Sequence, residues 1–219
     1  MEEKLVIVDG NSVMYREFYG IPGLRNSSGE PTNAIYGFAR HIIEIITKIK
    51  PSHLVIAFDA GKHTFRNDMF DGYKATRKPM PDDLRVQVQP LKDMLGAMNI
   101  TCIEKPGIEG DDVIGSLAKM FDINTIIVTG DRDSFQLIDT NIKVRIPRTK
   151  MGKTEVEDYT IEKINKEYGL EPLDLIEVKG LMGDPSDNIP GVPGVGEKTA
   201  LNLIKEYKNI DGVYQNIDK

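Results

Sequence analysis

The sequence predicts an α/β fold: a central, mostly parallel sheet flanked by helices. Three observations carry this. Residues 5–8, 54–58 and 125–128 are continuously apolar rather than alternating, as strands covered on both faces must be. The segments between them repeat apolar residues at helical spacing, and strands alternating with helices build parallel sheets. Each run also stops at or just before an acid, Asp9, Asp59 or Asp131. The strand ends of such a sheet converge on one rim, where ligands bind.

The elements follow in order. Residues 5–8 are the first strand, closed by the turn Asp9-Gly10-Asn11. Residues 25–31, with Asn26, Ser27, Ser28 and Gly29, are a loop. Ile35, Phe38, Ala39, Ile42, Ile46 and Ile49 mark one face of a long amphipathic helix, with Thr32 or Asn33 as its cap. Pro51-Ser52 ends it, and residues 54–58 are the second strand. Residues 101–103 and 144–146 are shorter strands. Val113, Ile114, Leu117 and Ala118 predict a helix that begins near Glu109. Lys150-Met151-Gly152-Lys153 reads as a hairpin turn, and residues 161–168 as a short helix capped by Thr160. Residues 172–180 form another helix, and a last one carries Ala200, Leu201, Leu203 and Ile204.

Composition sets limits. The chain has 219 residues, 40% of them hydrophobic, which fits one folded domain or a domain with a lobe. No apolar run approaches the roughly 18 residues that span a bilayer. Met1-Glu2-Glu3-Lys4 lacks a secretory pattern, so a cytoplasmic location is expected. The single cysteine, Cys102, forms no internal disulfide and is expected to be a small buried hydrophobe. A net charge of −6 argues against a nucleic-acid binder unless the acids are clustered on cations and the bases are gathered elsewhere.

Both conditions are met. Glu109, Asp111 and Asp112 crowd a helix start, where the helix dipole alone would favour an acid. A lone strand-end Asp is likewise an ordinary turn former. Acids from three strands and the Glu109 group on one rim, however, repel unless they take up protons or cations. An oxygen-only donor set suits Mg²⁺ or Mn²⁺ and argues against zinc. Asp133, Asp184 and Asp187 are further candidates. The bases gather in residues 62–78, where Lys62, Arg66, Lys74, Arg77 and Lys78 are interleaved with Phe65, Phe70 and Tyr73. That mixture suits a nucleic-acid single strand, and its place after Asp59 favours this over a plain solvated surface. Gly194-Val195-Gly196 before a helix lets backbone N–H groups reach a duplex phosphate without reading sequence; a plain glycine turn is the alternative.

Taken together, the motifs resemble the flap endonuclease family of 5′-nucleases, in the form attached to bacterial DNA polymerase I. They are Val8-Asp9-Gly10, Tyr36-Gly37-Phe38, Phe58-Asp59-Ala60, Gly72-Tyr73-Lys74-Ala75, Glu109-Gly110-Asp111-Asp112 and Gly130-Asp131-Arg132-Asp133. Gly183-Asp184-Pro185-Ser186-Asp187-Asn188 and Pro193-Gly194-Val195-Gly196-Glu197-Lys198 complete the set. The resemblance implies a PIN-like core at residues 1–170, a helical arch at about 62–90 and a helix-three-turn-helix lobe at 171–219. It assigns Asp9, Asp59, Glu109, Asp111 and Asp112 to a first metal ion, and Asp131, Asp133, Asp184 and Asp187 to a second. It places Arg16, Tyr73 and Lys74 at the reacting phosphate, with Arg66, Arg77 and Lys78 in the arch. Gly194, Gly196 and Lys198 match the duplex-binding turn, with a K⁺ ion held by backbone carbonyls.

The implied activity is a structure-specific 5′-3′ exonuclease and flap endonuclease acting by a two-metal mechanism. Its substrates would be branched or nicked duplex DNA with a 5′ flap, and RNA primers, in replication and repair. A monomer at the bacterial nucleoid, fused to or working with a DNA polymerase, is expected. A non-catalytic DNA-structure-binding module is the alternative, which the full acidic set disfavours. An RNA-cutting toxin of the wider PIN group is disfavoured by the arch and the duplex-binding turn. The family's domain continues for several more helices, so either a piece cut from a longer polymerase or a compact stand-alone version is expected, and the connection from Leu117 to Ile126 is a few residues short.

Overall fold

The computed structural model describes residues 3–61, 63–150 and 153–218. Strand β1 (Lys4–Asp9) leads directly into helix α1 (Gly10–Gly20), and helix α2 (Asn33–Glu44) returns after the expected loop. A π-helical turn, Ile45–Ile49, extends α2 before β2 (His53–Ala57). The short α3 (Phe65–Met69) and the long α4 (Asp82–Ala97) precede β3 (Thr101–Ile103). Then come α5 (Gly110–Met120), β4 (Asn124–Val128), a 3₁₀ turn at Arg132–Leu137, β5 (Ile142–Lys150) and β6 (Lys153–Tyr159). The C-terminal part holds α6 (Ile161–Tyr168), α7 (Asp174–Met182), β7 (Gly183–Asp184), β8 (Ile189–Pro190), α8 (Glu197–Tyr207) and α9 (Ile210–Gln215).

The main sheet has six strands in the order β3-β2-β1-β4-β5-β6; all neighbours are parallel except β5 and β6. Alternate residues of β1 divide between two cores. Val6 and Val8 pack with Phe38, Ile42, Leu84, Leu91 and Leu95 on the α1/α2/α4 side. Leu5 and Ile7 pack with Val113, Ile114, Phe135 and Tyr159 on the α5 side. Burial on both faces is why these strands read as unbroken apolar runs. A third cluster, with Val178, Leu181, Ala200 and Ile204, joins α7 to α8.

Several local expectations are corrected. Ile46 is 42% exposed, and Ile45, three residues after Ile42, takes its place in the core, with Ile49 packed against the same cluster. Thr32 occupies the cap position of α2 without a side-chain bond. The Gln87 carboxamide on α4 instead accepts the Ala34 N–H at 2.9 Å, so a tertiary contact replaces the local cap. Thr160 precedes α6 but turns its hydroxyl to Glu162. Cys102 is exposed rather than buried, since β3 is an edge strand without a neighbour on its outer side. Helix α7 begins at Asp174 rather than Pro172 and leaves Leu173 and Ile176 exposed. Lys150 and Lys153 pair across the predicted hairpin, whose Met151 and Gly152 lie outside the described residues, as does Lys62.

Candidate active site

In the strand order, β1 and β4 are the neighbours from which the chain runs outward in both directions. At such a switch point the loops diverge and leave a crevice above the strand ends. Asp9 closes β1 there. Its Oδ1 accepts the Ser12 N–H (2.9 Å), capping α1, and its Oδ2 accepts the hydroxyl of the fully buried Thr129 (2.7 Å) from the end of β4. Thr129 Oγ1 in turn accepts the Asp131 N–H at 3.0 Å. Asp59 follows β2. It accepts the Gly110 N–H at 2.7 Å and the Asn11 amide at 2.8 Å, so it is fixed to the starts of both α5 and α1. These bonds hold Asp9, Asp59 and the Asp131 backbone at the strand ends, and Asp111, in the first turn of α5, lies near enough to feel the charges of Asp9, Asp59 and Asp131.

Among the described residues, no ion pair reaches any of these four. Burial pushes the Asp9 carboxyl up, with Asp59 and Asp131 adding to the shift against the bonds from Ser12 and Thr129. Burial also lifts Asp111 to about 7, helped by Asp9, Asp131 and Asp59. Asp111 is nevertheless exposed, so solvent reaches its carboxylate. Crowded carboxylates of this kind hold protons unless a cation takes their place.

The other predicted acids are neutralised by the protein itself. Glu109 and Asp112 form the capping box of α5, so they do have the ordinary helix-start role. Arg66 on α3 clamps Asp112 with two bonds, of 2.7 and 2.8 Å, which hold Asp112 below the usual carboxylate range. The buried Glu109 accepts the Lys74 ammonium at 2.7 Å. The Tyr73 hydroxyl lies between Glu109 Oε2 (3.0 Å) and Asp187 Oδ2 (3.1 Å). Burial and those two charges push the phenol up, so it stays a donor. Arg77 also pairs with Asp187. The basic segment is therefore folded down onto the rim rather than standing clear of it. Lys74 adopts a left-handed φ of 56°, and its N–H donates to the Asp187 carbonyl at 2.9 Å.

Asp184 ends β7. Gly183 (φ 73°) and Gly191 bring their backbones so close that a Cβ on Gly183 would lie 2.3 Å from the Gly191 nitrogen. Only glycine fits there. Asp184 accepts the Ser186 N–H (2.9 Å) and hydroxyl (2.7 Å), and Lys179 bridges Asp184 and Asp133 at 2.8 Å each. Burial works against ionisation of Asp184, but Lys179 and Ser186 hold it at about 2. For Asp133 burial outweighs Lys179, and the carboxyl is raised.

The predicted residues therefore fall into one uncompensated group and two self-neutralised ones. Among the described residues no three acids, histidines or cysteines are arranged to hold a metal ion as they stand. Arg16, on α1, pairs with Glu17 at 3.4 Å and its charge bears on His41. Lys78 and Lys198 are exposed, and so are Gly194 (φ 83°) and Gly196, the cap of α8. Sequence reasoning missed Asn11, Ser12, Thr129 and Lys179. The first three sit beside predicted acids and could have been suspected as their hydrogen-bond partners; Lys179 had no such signal.

An oxygen-only acidic crevice on a parallel sheet, with a basic segment against it, defines a nuclease. The chain belongs to the 5′-3′ exonuclease family. That family's N-terminal resolvase-like domain matches residues 4–169, and its C-terminal SAM fold matches residues 170–219. DNA polymerase I of Caldicellulosiruptor bescii is 47% identical over 219 residues, covering 99% of this chain and 26% of that protein. DNA polymerase I of Bacillus subtilis is 44% identical over 99% of this chain and 25% of its own length. The chain thus spans about a quarter of the curated relatives it matches. Among solved structures, T5 5′-exonuclease with bound zinc superposes with a TM-score of 0.78 at 23% identity, covering 98% of this chain and 79% of that one. The catalytic core of Rad2 in complex with DNA substrate gives 0.63 at 23% identity, over 98% and 66%. These two likenesses establish the fold. No helix among the described residues is long and apolar enough to cross a membrane.

Proposed function

We propose that this chain hydrolyses phosphodiesters near the 5′ end of branched or nicked duplex DNA, including 5′ flaps and RNA primers, with two divalent cations, Mg²⁺ or Mn²⁺. The observation that carries the reading is the uncompensated group of Asp9, Asp59, Asp111 and Asp131, with Asp111 lifted to about 7. Its donors are all oxygens, which fits a hard cation. Asp9, Asp59 and Asp111 would hold the first ion, with Glu109 and Asp112 beside them. Asp133, Asp184 and Asp187 would hold the second, and Asp131 lies between the two groups. Bound divalent cations supply a more acidic water and stabilise charge on the phosphate oxygens.

The chain's own residues do the rest. Thr129, Asn11 and the Gly110 N–H fix the carboxylates before any ligand arrives, so little reorganisation is left to the reaction. Lys74 and Arg66 pair with acids in this state. Released from those acids, both side chains would face a phosphate, with Tyr73 beside them to donate a hydrogen bond. Arg16 and Lys78 would join them on the incoming single strand. Gly194, Gly196 and Lys198 would grip the duplex, with K⁺ at the backbone carbonyls of the turn. The DNA polymerase I relatives support work alongside a DNA polymerase, and a monomer at the nucleoid would be its setting.

The test is cleavage of a 5′-flap duplex labelled at either end, in Mg²⁺ and in chelator, by the parent chain and by Asp131→Asn. Cutting at the junction that needs metal and disappears in the variant is expected. Binding without cutting in Mg²⁺ or Mn²⁺ would replace this reading with that of a DNA-structure-binding module.

A further inference from the structure

Lys179 lies in the last turn of α7, and its ammonium is 2.8 Å from Asp133 Oδ1 and 2.8 Å from Asp184 Oδ2. One positive centre thus joins the 3₁₀ turn after β4 to β7. Two carboxylates aimed at a common point is the arrangement a small cation would impose. Asp184 is fixed independently of the lysine, and Asp133 is anchored through its backbone. Asp184 is held by Ser186 and by the close backbone approach of Gly183 and Gly191, and its side chain is only 12% exposed. The Asp133 N–H donates to Asp131 Oδ1 at 2.9 Å. Lys179 is the movable member: its side chain is 41% exposed and carries its charge on a flexible four-carbon stem that can turn to water.

The crevice group differs. Among the described residues no ion pair reaches Asp9, Asp59, Asp111 or Asp131, so a first cation displaces no bridging ammonium there, although the charge of Lys74 bears on Asp111. We propose that Lys179 is the resident counter-cation of the Asp133–Asp184 pair and sets the affinity of the second divalent ion, which binds only when the ammonium withdraws. The inference rests on the assignment of Asp133 and Asp184 to a second ion. It makes loading sequential: the crevice fills first, and the second position fills at a higher concentration. A site that is open a tenth of the time binds about tenfold more weakly than its intrinsic affinity.

The test is a Mn²⁺ titration of the DNA-free protein, with free ion read by electron paramagnetic resonance, for the parent, Lys179→Met and Lys179→Gln. Two classes of site are expected in the parent, the weaker one abolished by Asp184→Asn. Both lysine variants should leave the tighter class unchanged and strengthen the weaker by about tenfold. Glutamine keeps a hydrogen-bond donor near the acids and serves if the methionine variant does not fold. Thermal melting gives a second readout: Mn²⁺ should raise the melting temperature of the variants more than that of the parent. An unchanged or weakened second class in the folded variants overturns the role given to Lys179. A parent that binds fewer than two ions overturns the second site itself, which is a separate failure.

Discussion

Asp111 and Asp112 are adjacent, yet the fold treats them oppositely. Burial and three neighbouring acids raise Asp111 to about 7, whereas Arg66 holds Asp112 down. What separates them is helix geometry, which turns consecutive side chains about 100° apart. Thr129 shows how much rests on one hydroxyl, since it donates to Asp9 and accepts from the Asp131 N–H. Thr129→Val should therefore lower flap cleavage by the roughly 10–100-fold that loss of an outer partner costs, and Asp131→Asn by more, as measured by single-turnover rates. His41 offers a prediction about stability. Its Nε2 is buried without a hydrogen-bond partner, and burial, with Arg16 nearby, lowers the imidazole to about 4. The unfolded chain protonates this residue near 6.5, so between pH 6.5 and 4 it binds a proton that the folded state refuses. The stability due to His41 is complete above pH 6.5 and is lost as pH falls through that window. Urea unfolding at pH 7 and pH 4.5 should show His41→Gln losing about 1–2 kcal/mol less than the parent on acidification, a figure discounted for partial exposure.

At the scale of elements, the contact between α1 and α2 shows packing overriding local propensity. Gly37 lies in mid-helix in α2, where alanine would be intrinsically better by roughly 0.5–1 kcal/mol. A Cβ there would meet Glu17 Oε2 at 2.4 Å and Glu17 Cβ at 2.6 Å. Gly37→Ala is expected to destabilise by about 1–3 kcal/mol, because α1 must move or Glu17 must leave its buried place. Gly96, near the end of α4, has nothing within 4 Å of its would-be Cβ. Gly96→Ala should stabilise by ~0.5–1 kcal/mol, about 1–4 °C in melting temperature for a chain of this size. The opposite signs check the packing directly by calorimetry. The basic segment is a second case. Phe65, Phe70 and Tyr73 were grouped by composition, but Tyr73 is 7% exposed while Phe65 and Phe70 are 44% and 42% exposed. Only the latter two remain available to stack on a base.

For the whole molecule, the arrangement of charge matters more than its sum. A chain of net charge −6 would approach DNA because the acids of the site are gathered at the strand ends or paired with Arg66, Lys74, Arg77 and Lys179. Lys198, exposed at the start of α8, lies in a different cluster of the fold from the crevice. If both regions hold one duplex, Lys198→Ala should weaken binding uniformly across sequences. It should also reduce the salt dependence of log Kd by about one unit, measured by fluorescence anisotropy in Ca²⁺ at several salt concentrations.

The strands, the acidic rim and most helices were legible in the sequence because each depends on local pattern. Unbroken apolar runs require burial on both faces, and an acid after a strand must arrive at the rim wherever the strand pairs. Asp9, Asp59 and Asp131 could be named for that reason, and Asp111 because it crowds a helix start with Glu109 and Asp112. The partners of the acids could not. The Gln87 cap on α2 comes from 53 residues away, and the Arg77–Asp187 pair spans 110. The exposure of Cys102 follows from β3 being the last strand of its edge. Of the neighbours Ile45 and Ile46, both compatible with helical spacing after Ile42, only the packing of α2 against the sheet selects Ile45 for the core. The division of the acids into an uncompensated group and groups neutralised by the protein's own cations was equally invisible. Which cation reaches which carboxylate depends on how α3, α5 and α7 pack, and spacing along the chain does not encode that distance.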